Sequence, residues 1–290
     1  MSRKVIVGIG EILWDLLPSG KALGGAPANF AYHAQRLGEE GWAVSAVGDD
    51  PLGREILDIV DGKGLHHIIS AVGQPTGTVE VTLDARGVPS YNIKEGVAWD
   101  NIPFTPEMEA LAQRADAVCF GSLVQRMASR ASVLRFLRAA RPDCLKVFDI
   151  NLRQHYYSRE VLEESLQLAD ILKINDEEIR TVAGLFGLDD DDTVACRALI
   201  ARYGLRLVIL TRGPQGARSS RRRRSFPRRP ARLSSWTPSA PATPSPPPSW
   251  WRICGAIRLR TPSGGRAIPP PSFAPARGRC LSNRLKSSKI

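Results

Sequence analysis

A glycine pair near the amino terminus could bring a ligand close to the backbone. Gly24 and Gly25 precede a predicted helix that carries Asn29 in its first turn. Glycine has no Cβ, so a ligand can approach the main chain closely. The amide of Asn29 and the N–H groups of the first helical turn could bind hydroxyls or an anion. A tight turn with a capping residue is the commoner meaning of an isolated Gly-Gly pair.

Asp15 is a second candidate for binding chemistry. It follows the first predicted strand, at the end of the segment GEILWD (residues 10–15). A carboxylate can accept hydrogen bonds from two neighbouring sugar hydroxyls. The alternative is an ordinary solvated loop aspartate.

The elements that must position these residues alternate along the chain. Short apolar runs, which end in glycine or polar residues, predict buried strands at 5–9, 43–48, 118–121, 145–149, 171–175 and 207–213. Helical patterns lie between them at 55–60, 106–114, 132–140, 159–169 and 192–203. This alternation predicts an α/β fold whose parallel sheet is covered on both faces. Ligands bind such sheets at the carboxyl ends of the strands.

One segment has a different period. Residues 77–84 and 90–95 alternate between apolar and polar side chains, with a turn sequence between them. This pattern predicts a β-hairpin with one wet face. The hairpin could be a lid over the site or a decoration at the edge of the sheet, and the pattern alone does not choose between them.

Six short motifs follow one another in a fixed order. They are GEILWD (10–15), GGAPAN (24–29), GDDPLGR (48–54), DINLR (149–153), NDEE (175–178) and TRGPQGA (211–217). Together they resemble the ribokinase-like (PfkB) carbohydrate kinases, especially the fructokinases. The resemblance implies a three-layer α/β domain over residues 1–218. Its small β lid would be drawn mainly from about residues 11–23 and 76–100.

The resemblance implies a sugar site. Asp15, Gly24, Gly25, Asn29 and Asn151 match the positions that bind the sugar.

It also implies an ATP site with magnesium. Arg153 would contact phosphate, Asn175, Thr211 and Gly213 would bind the nucleotide, and Glu178 would hold magnesium through water. Magnesium prefers oxygen ligands and keeps several of its waters. The alternative is that Asn175 caps a helix and that Glu178 only starts it.

The charge of the chain is unevenly distributed. The whole chain carries +11, residues 219–290 carry +16 without any Asp or Glu, and residues 1–218 therefore carry −5. Thirteen of the 22 prolines also lie in residues 219–290. This composition is typical of a basic, disordered arm that could bind nucleic acid.

A second reading of this tail comes from a motif that the chain lacks. The family carries its catalytic aspartate base in the late motif D-T-V-G-A-G-D-A-F, and no such motif follows Gly213. When residues 236–245 are back-translated and read from the third base of the Trp236 codon, every shifted codon permits that motif without a mismatch. We infer that residues 219–290, to within a few residues, are an out-of-frame translation (a frameshift) and are unstructured.

The sequence therefore predicts a fructokinase-like sugar kinase that lacks its catalytic base and is inactive as translated. The same-class alternatives are kinases of 2-keto-3-deoxygluconate, ribose or a nucleoside. The different-class alternative is a non-catalytic sugar-binding protein with a nucleic-acid-binding tail. Without a long apolar segment or a paired-cysteine motif, we expect a cytoplasmic protein with no membrane partner. Pairing of lids between subunits, as in the family, would make a homodimer.

Overall fold

The computed structural model describes residues 2–17, 19–83 and 89–222. Residues 223–290 lie outside this part, and with them nearly all of the basic tail and the codons that permit the missing motif.

Twelve described strands form two sheets. They are β1 (Val5–Ile9), β2 (Leu13–Leu17), β3 (Gly20–Gly24), β4 (Glu40–Gly48), β5 (His66–Val72), β6 (Thr78–Leu83), β7 (Pro89–Ile93), β8 (Ala117–Phe120), β9 (Leu145–Asp149), β10 (Ile171–Asn175), β11 (Leu207–Thr211) and β12 (Ala217–Arg221). The main sheet has the order β12-β11-β10-β9-β8-β1-β4-β5. All its neighbours pair in parallel except β11 with β12. The predicted parallel α/β sheet is confirmed.

Seven described helices cover the main sheet. They are α1 (Ala26–Arg36), α2 (Pro51–Gly62), α3 (Pro106–Arg114), α4 (Ser129–Ala139), α5 (Arg159–Leu168), α6 (Asp176–Phe186) and α7 (Asp192–Tyr203). The side chains of β1 show that both faces are covered. Ile6 packs with Ala34 of α1, whereas Val7 joins the core that includes Phe136 of α4. Successive strand residues point to opposite faces, so the helices form a layer on each side.

Local sequence signals explain where several helices begin. Proline occupies the first helical turn of α2 and α3, and the side chains of Asp50 and Thr105 cap these helices by accepting N–H groups. These are favourable starting residues because the first N–H groups of a helix have no partner within it.

The small sheet has the order β3-β2-β6-β7. It contains the predicted hairpin as β6 and β7, whose connection, residues 84–88, lies outside the described residues. The other two strands, β2 and β3, pair antiparallel, and β2 runs parallel to β6. Because these four strands form a sheet of their own, the hairpin is not an edge decoration of the main sheet.

A buried arginine ties the small sheet to the core. The guanidinium of Arg126 donates to both carboxylate oxygens of Asp100, at 2.7 and 2.8 Å, and to the carbonyl oxygen of Lys94, just after β7. It lies 4.2 Å from the ring centre of Trp99 and 4.5 Å from that of Tyr156. The Asp100 side chain is fully buried, so this ion pair is shielded from solvent.

The carboxyl-terminal boundary lies beyond the expected one. The domain was expected to end at residue 218, with an irregular tail from 219. Instead β12 continues to Arg221 and pairs with β11, with Ser219 opposite Ile209. Within the described ranges, no helix combines the length and the hydrophobicity needed to cross a membrane.

Close contact between β1 and α1 depends on one glycine. A Cβ at Gly8 would collide with the carbonyl oxygen of Pro27 in α1. The first strand and the helix that follows the glycine pair therefore approach each other more closely than any other residue at this position would allow.

We expect Gly8→Ala to destabilise the fold by about 1–3 kcal/mol, because the added methyl must push α1 away from the sheet. Gly184→Ala is the matched control, since Gly184 lies inside α6 and an added Cβ meets nothing within 4 Å. The control should be stabilising by up to about 1 kcal/mol through helix propensity. Urea unfolding midpoints measure both, and equal midpoints for the two variants would contradict the close contact.

Candidate active site

A cavity of about 470 Å³ lies where β1 and β9 end. Its polar lining consists of Glu11, Asp15, Asn29, Asn151 and Arg153, together with the backbone of Gly25. Five residues predicted from sequence, Asp15, Gly25, Asn29, Asn151 and Arg153, are thus brought together although up to 138 positions separate them along the chain.

The small sheet forms one wall of this cavity. Leu13 and Asp15 of β2, Val79 of β6 and Ile93 of β7 all line it. A sheet in this position could shield a bound ligand from solvent. The hairpin thus lies where a lid would lie, and its role as a lid stays a prediction.

The glycine pair shapes the cavity through its backbone. Gly25 precedes α1 with φ of 119°, and a Cβ there would collide with the carbonyl oxygen of Glu11. This φ and this contact both require glycine. A Cβ on Gly24 would lie 2.6 Å from Oδ2 of Asp15, so glycine leaves the space that the carboxylate occupies.

Asp15 lies within β2, where it pairs with Ala22 and Val79. It is half-buried, and burial raises the pKa of its carboxyl. Asp15 follows β1, as the sequence predicts, and because it lies in a strand, the alternative of a solvated loop aspartate is wrong. The strand holds the carboxylate against the cavity. Asn29 stands in the first turn of α1, as predicted, with its N–H bonded to the carbonyl oxygen of Gly25.

The loop after β9 has an unusual backbone. Asn151 and Gln154 are the non-glycine residues with positive φ in the described chain, at 45° and 47°. Side chains disfavour this left-handed region, although Asn tolerates it better than most residues. The surrounding contacts must hold the loop in place, and it presents Asn151 and Arg153 to the cavity.

One of these contacts is a carboxylate bridge from α6. Glu178 accepts the N–H of Leu152 at Oε1 and the N–H of Asn175 at Oε2, both at 2.9 Å. In return, Oδ1 of Asn175 accepts the N–H groups of Glu177 and Glu178 at 2.9 and 2.7 Å. Asn175 and Glu178 therefore form a capping box, which agrees with the alternative that Asn175 caps the helix. Glu178 also joins the ends of β9 and β10, which a cap alone does not do.

The donor set at this edge fits magnesium held through water. Both oxygens of Glu178 already accept backbone hydrogen bonds, and Oδ1 of Asp149 is paired with Lys173 Nζ at 2.7 Å. Direct binding would disrupt these bonds, whereas magnesium usually keeps several waters. In the part of the chain that is described, no group of three or more His, Cys, Asp or Glu residues could hold a metal on its own.

The residues predicted to bind nucleotide lie further along the same edge. Thr211 ends β11 directly opposite Asn175 in the strand register. Gly213 begins the next turn with φ of 48°. Asn175 is joined through Glu178 to the loop that lines the cavity. Asn175, Thr211 and Gly213 do not line the cavity themselves. Their contact with nucleotide stays a prediction.

Sequence reasoning missed Glu11. It follows β1, it is only 3% exposed, and it lines the cavity. Burial raises the pKa of its carboxyl to about 7. The available signal was a lone charge inside the apolar run IGEILW (residues 9–14), since a buried carboxyl is rare without a role.

Comparison with known proteins agrees with this geometry. The family model described as pfkB family carbohydrate kinase matches residues 19–233. This chain belongs to that family. It is 31% identical over 237 residues to a putative sugar kinase of Pyrococcus horikoshii, covering 74% of this chain and 71% of the relative. It is 30% identical over 231 residues to the fructokinase of Escherichia coli, covering 74% and 73%.

Solved structures show the same fold. The P. horikoshii sugar kinase superposes with a TM-score of 0.63 at 28% identity, over 76% of this chain and 74% of that one. The same protein has been solved in complex with ATP, with a TM-score of 0.60 over 75% and 74%. The Xylella fastidiosa fructokinase gives a TM-score of 0.64 at 23% identity, over 76% and 73%. The predicted ribokinase-like fold and carbohydrate kinase family are confirmed.

Replacing Glu178 tests the bridge. We expect Glu178→Ala to destabilise the fold by about 1–3 kcal/mol, because two backbone N–H groups lose their acceptor. Glu177→Ala, one position away on the exposed side of α6, should change stability by less than about 0.5 kcal/mol. Urea unfolding measures both, and similar losses in the two variants would contradict the bridge.

Proposed function

We propose that this chain derives from an ATP-dependent fructokinase, with the cavity between β1, α1, β9 and the small sheet as its sugar site. The observation that carries this proposal is the convergence of Asp15, Asn29, Asn151 and Arg153 on one cavity. The family is a carbohydrate kinase family, and polar groups converging in a cleft at the carboxyl ends of parallel strands support a small-molecule site.

Each residue has a role that its chemistry suits. The carboxylate of Asp15 accepts hydrogen bonds from sugar hydroxyls, and the amides of Asn29 and Asn151 both donate and accept. Arg153, which is exposed, adds a positive charge for a phosphate. ATP, held near Asn175, Thr211 and Gly213, would supply the phosphoryl group, and magnesium, held through water by Glu178, would neutralise its charge.

Fructose is the proposed sugar because several relatives are named fructokinases, among them the E. coli enzyme. Ribose, a nucleoside and 2-keto-3-deoxygluconate are the competing substrates. The side chains that would choose among them include those of the lid, where residues 81–91 have no described side chains. A cytoplasmic location and a homodimer through the lid stay predictions.

Sugar binding tests the site directly. We expect Asp15→Asn to weaken D-fructose binding about 10–100-fold, because a hydrogen bond to a charged group contributes about 1.5–3 kcal/mol. Asp58→Asn, on the exposed side of α2, is the control and should leave the affinity unchanged. Calorimetric titration with fructose and with ribose measures affinity and preference, and equal affinities for the wild type and Asp15→Asn would remove Asp15 from the site.

We further propose that the chain as translated does not transfer phosphate. The argument is that D-T-V-G-A-G-D-A-F is absent after Gly213 and that the shifted codons of residues 236–245 permit it without a mismatch. Because the shifted codons that permit the motif begin at Trp236, the proposed change of reading frame lies before residue 236. The motif supplies the base and a glycine-rich turn at a helix start that holds phosphate.

An activity comparison tests this proposal. Loss of a general base costs about 10²–10⁴-fold, and loss of an anion-stabilising turn costs a comparable factor. We expect fructose-dependent ADP release from the 290-residue chain to stay at background. A gene repaired by one base before codon 236 should give an active kinase. Resequencing this region shows which frame the gene has, and robust activity of the unrepaired chain would contradict the proposal.

One observation favours a second function. Residues 219–290 carry +16, and such a density of arginine binds nucleic acid through phosphate contacts. A non-catalytic sugar-binding protein with this arm would bind RNA or DNA in a salt-sensitive way. Deletion of residues 223–290, which leaves β12 in place, would then abolish the binding.

A further inference from the structure

Glu11 is a buried acid without a complete set of partners. Glu11 is only 3% exposed, and it lines the cavity beside Asp15 and Asn29. Its Oε2 has no hydrogen-bond partner among the described residues. An unpartnered buried carboxyl oxygen is costly, so such groups are rare in folded proteins. The cavity is the side from which a partner can reach it.

The main-chain surroundings of Glu11 favour its charged form. Its own N–H and the N–H of Ala26, the first residue of α1, both lower the pKa of its carboxyl. They are positioned to stabilise a carboxylate at the start of a helix. Removal from water acts in the opposite direction and is the largest effect. With a pKa of about 7, the carboxyl of Glu11 is therefore close to the midpoint between its protonated and charged forms at neutral pH.

The charged side chains that face Glu11 come from four elements. Asp149 at the end of β9 raises the pKa of Glu11, and Arg153 in the following loop lowers it. Asp149 is paired with Lys173 of β10, which reduces its effect. Asp15 of β2 shares the cavity. Histidine is not among the described residues that line it.

A buried thiol on another strand behaves differently. Cys119 of β8 has a pKa that burial raises well above its ordinary value, and Glu11 raises it further. The thiol therefore stays protonated at neutral pH. Glu11 is the group in this cluster whose carboxyl changes charge near pH 7.

We propose that Glu11 is a sugar-contacting residue, whose free Oε2 accepts a hydrogen bond from a hydroxyl of the bound sugar. This inference rests on the proposed sugar site. A hydroxyl that donates to a carboxyl stabilises its charged form. Binding therefore lowers the pKa of Glu11, and the proton that leaves the carboxyl passes to the buffer.

The sign of the pH dependence follows. Well below pH 7, Glu11 is protonated in the free protein, and part of the binding free energy is spent on removing the proton. Above pH 7 the carboxylate is already formed, and this cost disappears. Affinity therefore rises with pH up to about 7 and then levels off, tenfold for about each unit by which the sugar lowers the pKa.

The experiment is calorimetric titration of the full 290-residue chain with D-fructose. It is run between about pH 5.5 and pH 8.5, in buffers of different ionisation enthalpy, which report proton release. We expect about tenfold tighter binding at the upper pH and a fraction of one proton released per sugar near pH 6.5. Glu11→Gln should bind with a pH-independent affinity and release no proton. Glu109→Gln, on the exposed side of α3, should behave as the wild type.

The outcomes separate this inference from the proposed function. Fructose binding by the wild type without proton release would overturn the role of Glu11 and leave the sugar site standing. A pH dependence that persists in Glu11→Gln would also overturn it. Absence of binding to the wild type at every pH would overturn both. The proton count needs only the wild type, so the absence of proton release overturns the inference even if Glu11→Gln does not fold.

Discussion

The described site depends on the carboxylate bridge of Glu178. Its two oxygens join the N–H of Leu152, after β9, to the N–H of Asn175, at the end of β10. Parallel strands bring these two ends to one edge of the sheet, but they do not fix the loops beyond them. A buried carboxylate that satisfies one amide on each side does fix them, because either amide would be left unpaired without it. The positive φ of Asn151 is held in this way, one residue from the bridge.

A second constraint acts at the other side of the cavity, where backbones rather than side chains meet. Gly8 lets β1 approach Pro27 of α1, and Gly25 lets the start of α1 approach the carbonyl oxygen of Glu11. The strand, the glycine pair and the helix are thus packed as one unit. This unit sets where Asn29 and the buried carboxyl of Glu11 lie, while β2 carries Asp15 over them. Close packing of this kind has little freedom to adjust.

The sequence predicted those strands and helices in which the apolar residues follow a single clear pattern. The strands at 5–9, 145–149 and 171–175 and the helices at 106–114 and 192–203 lie where the pattern placed them. The strands β2 and β3 lie mainly in the segment 11–23 that the family resemblance assigns to the β lid. Their own residues carry no regular alternation, so the pattern alone did not predict them. The strand β5, with two histidines at its start, has no fully buried residue, so its apolar signal is weak. Asp15 and Asn29 were found through motif order. Glu11 has only the weak sequence signal of a lone charge in an apolar run, and its burial and its unpaired oxygen are visible only in the structure.

The strand β12 shows why the end of the recognisable domain does not mark the end of the sheet. Pairing of Ser219 and Arg221 with β11 uses backbone N–H and C=O groups, which every residue except proline supplies alike. A segment of altered sequence can therefore extend a sheet by a few residues, provided that it has no proline and need not fill a core. The phosphate-binding turn and the catalytic base differ from such a strand, because they require particular residues at particular positions. A change of reading frame after residue 218 would thus leave the last strand in place and remove the chemistry.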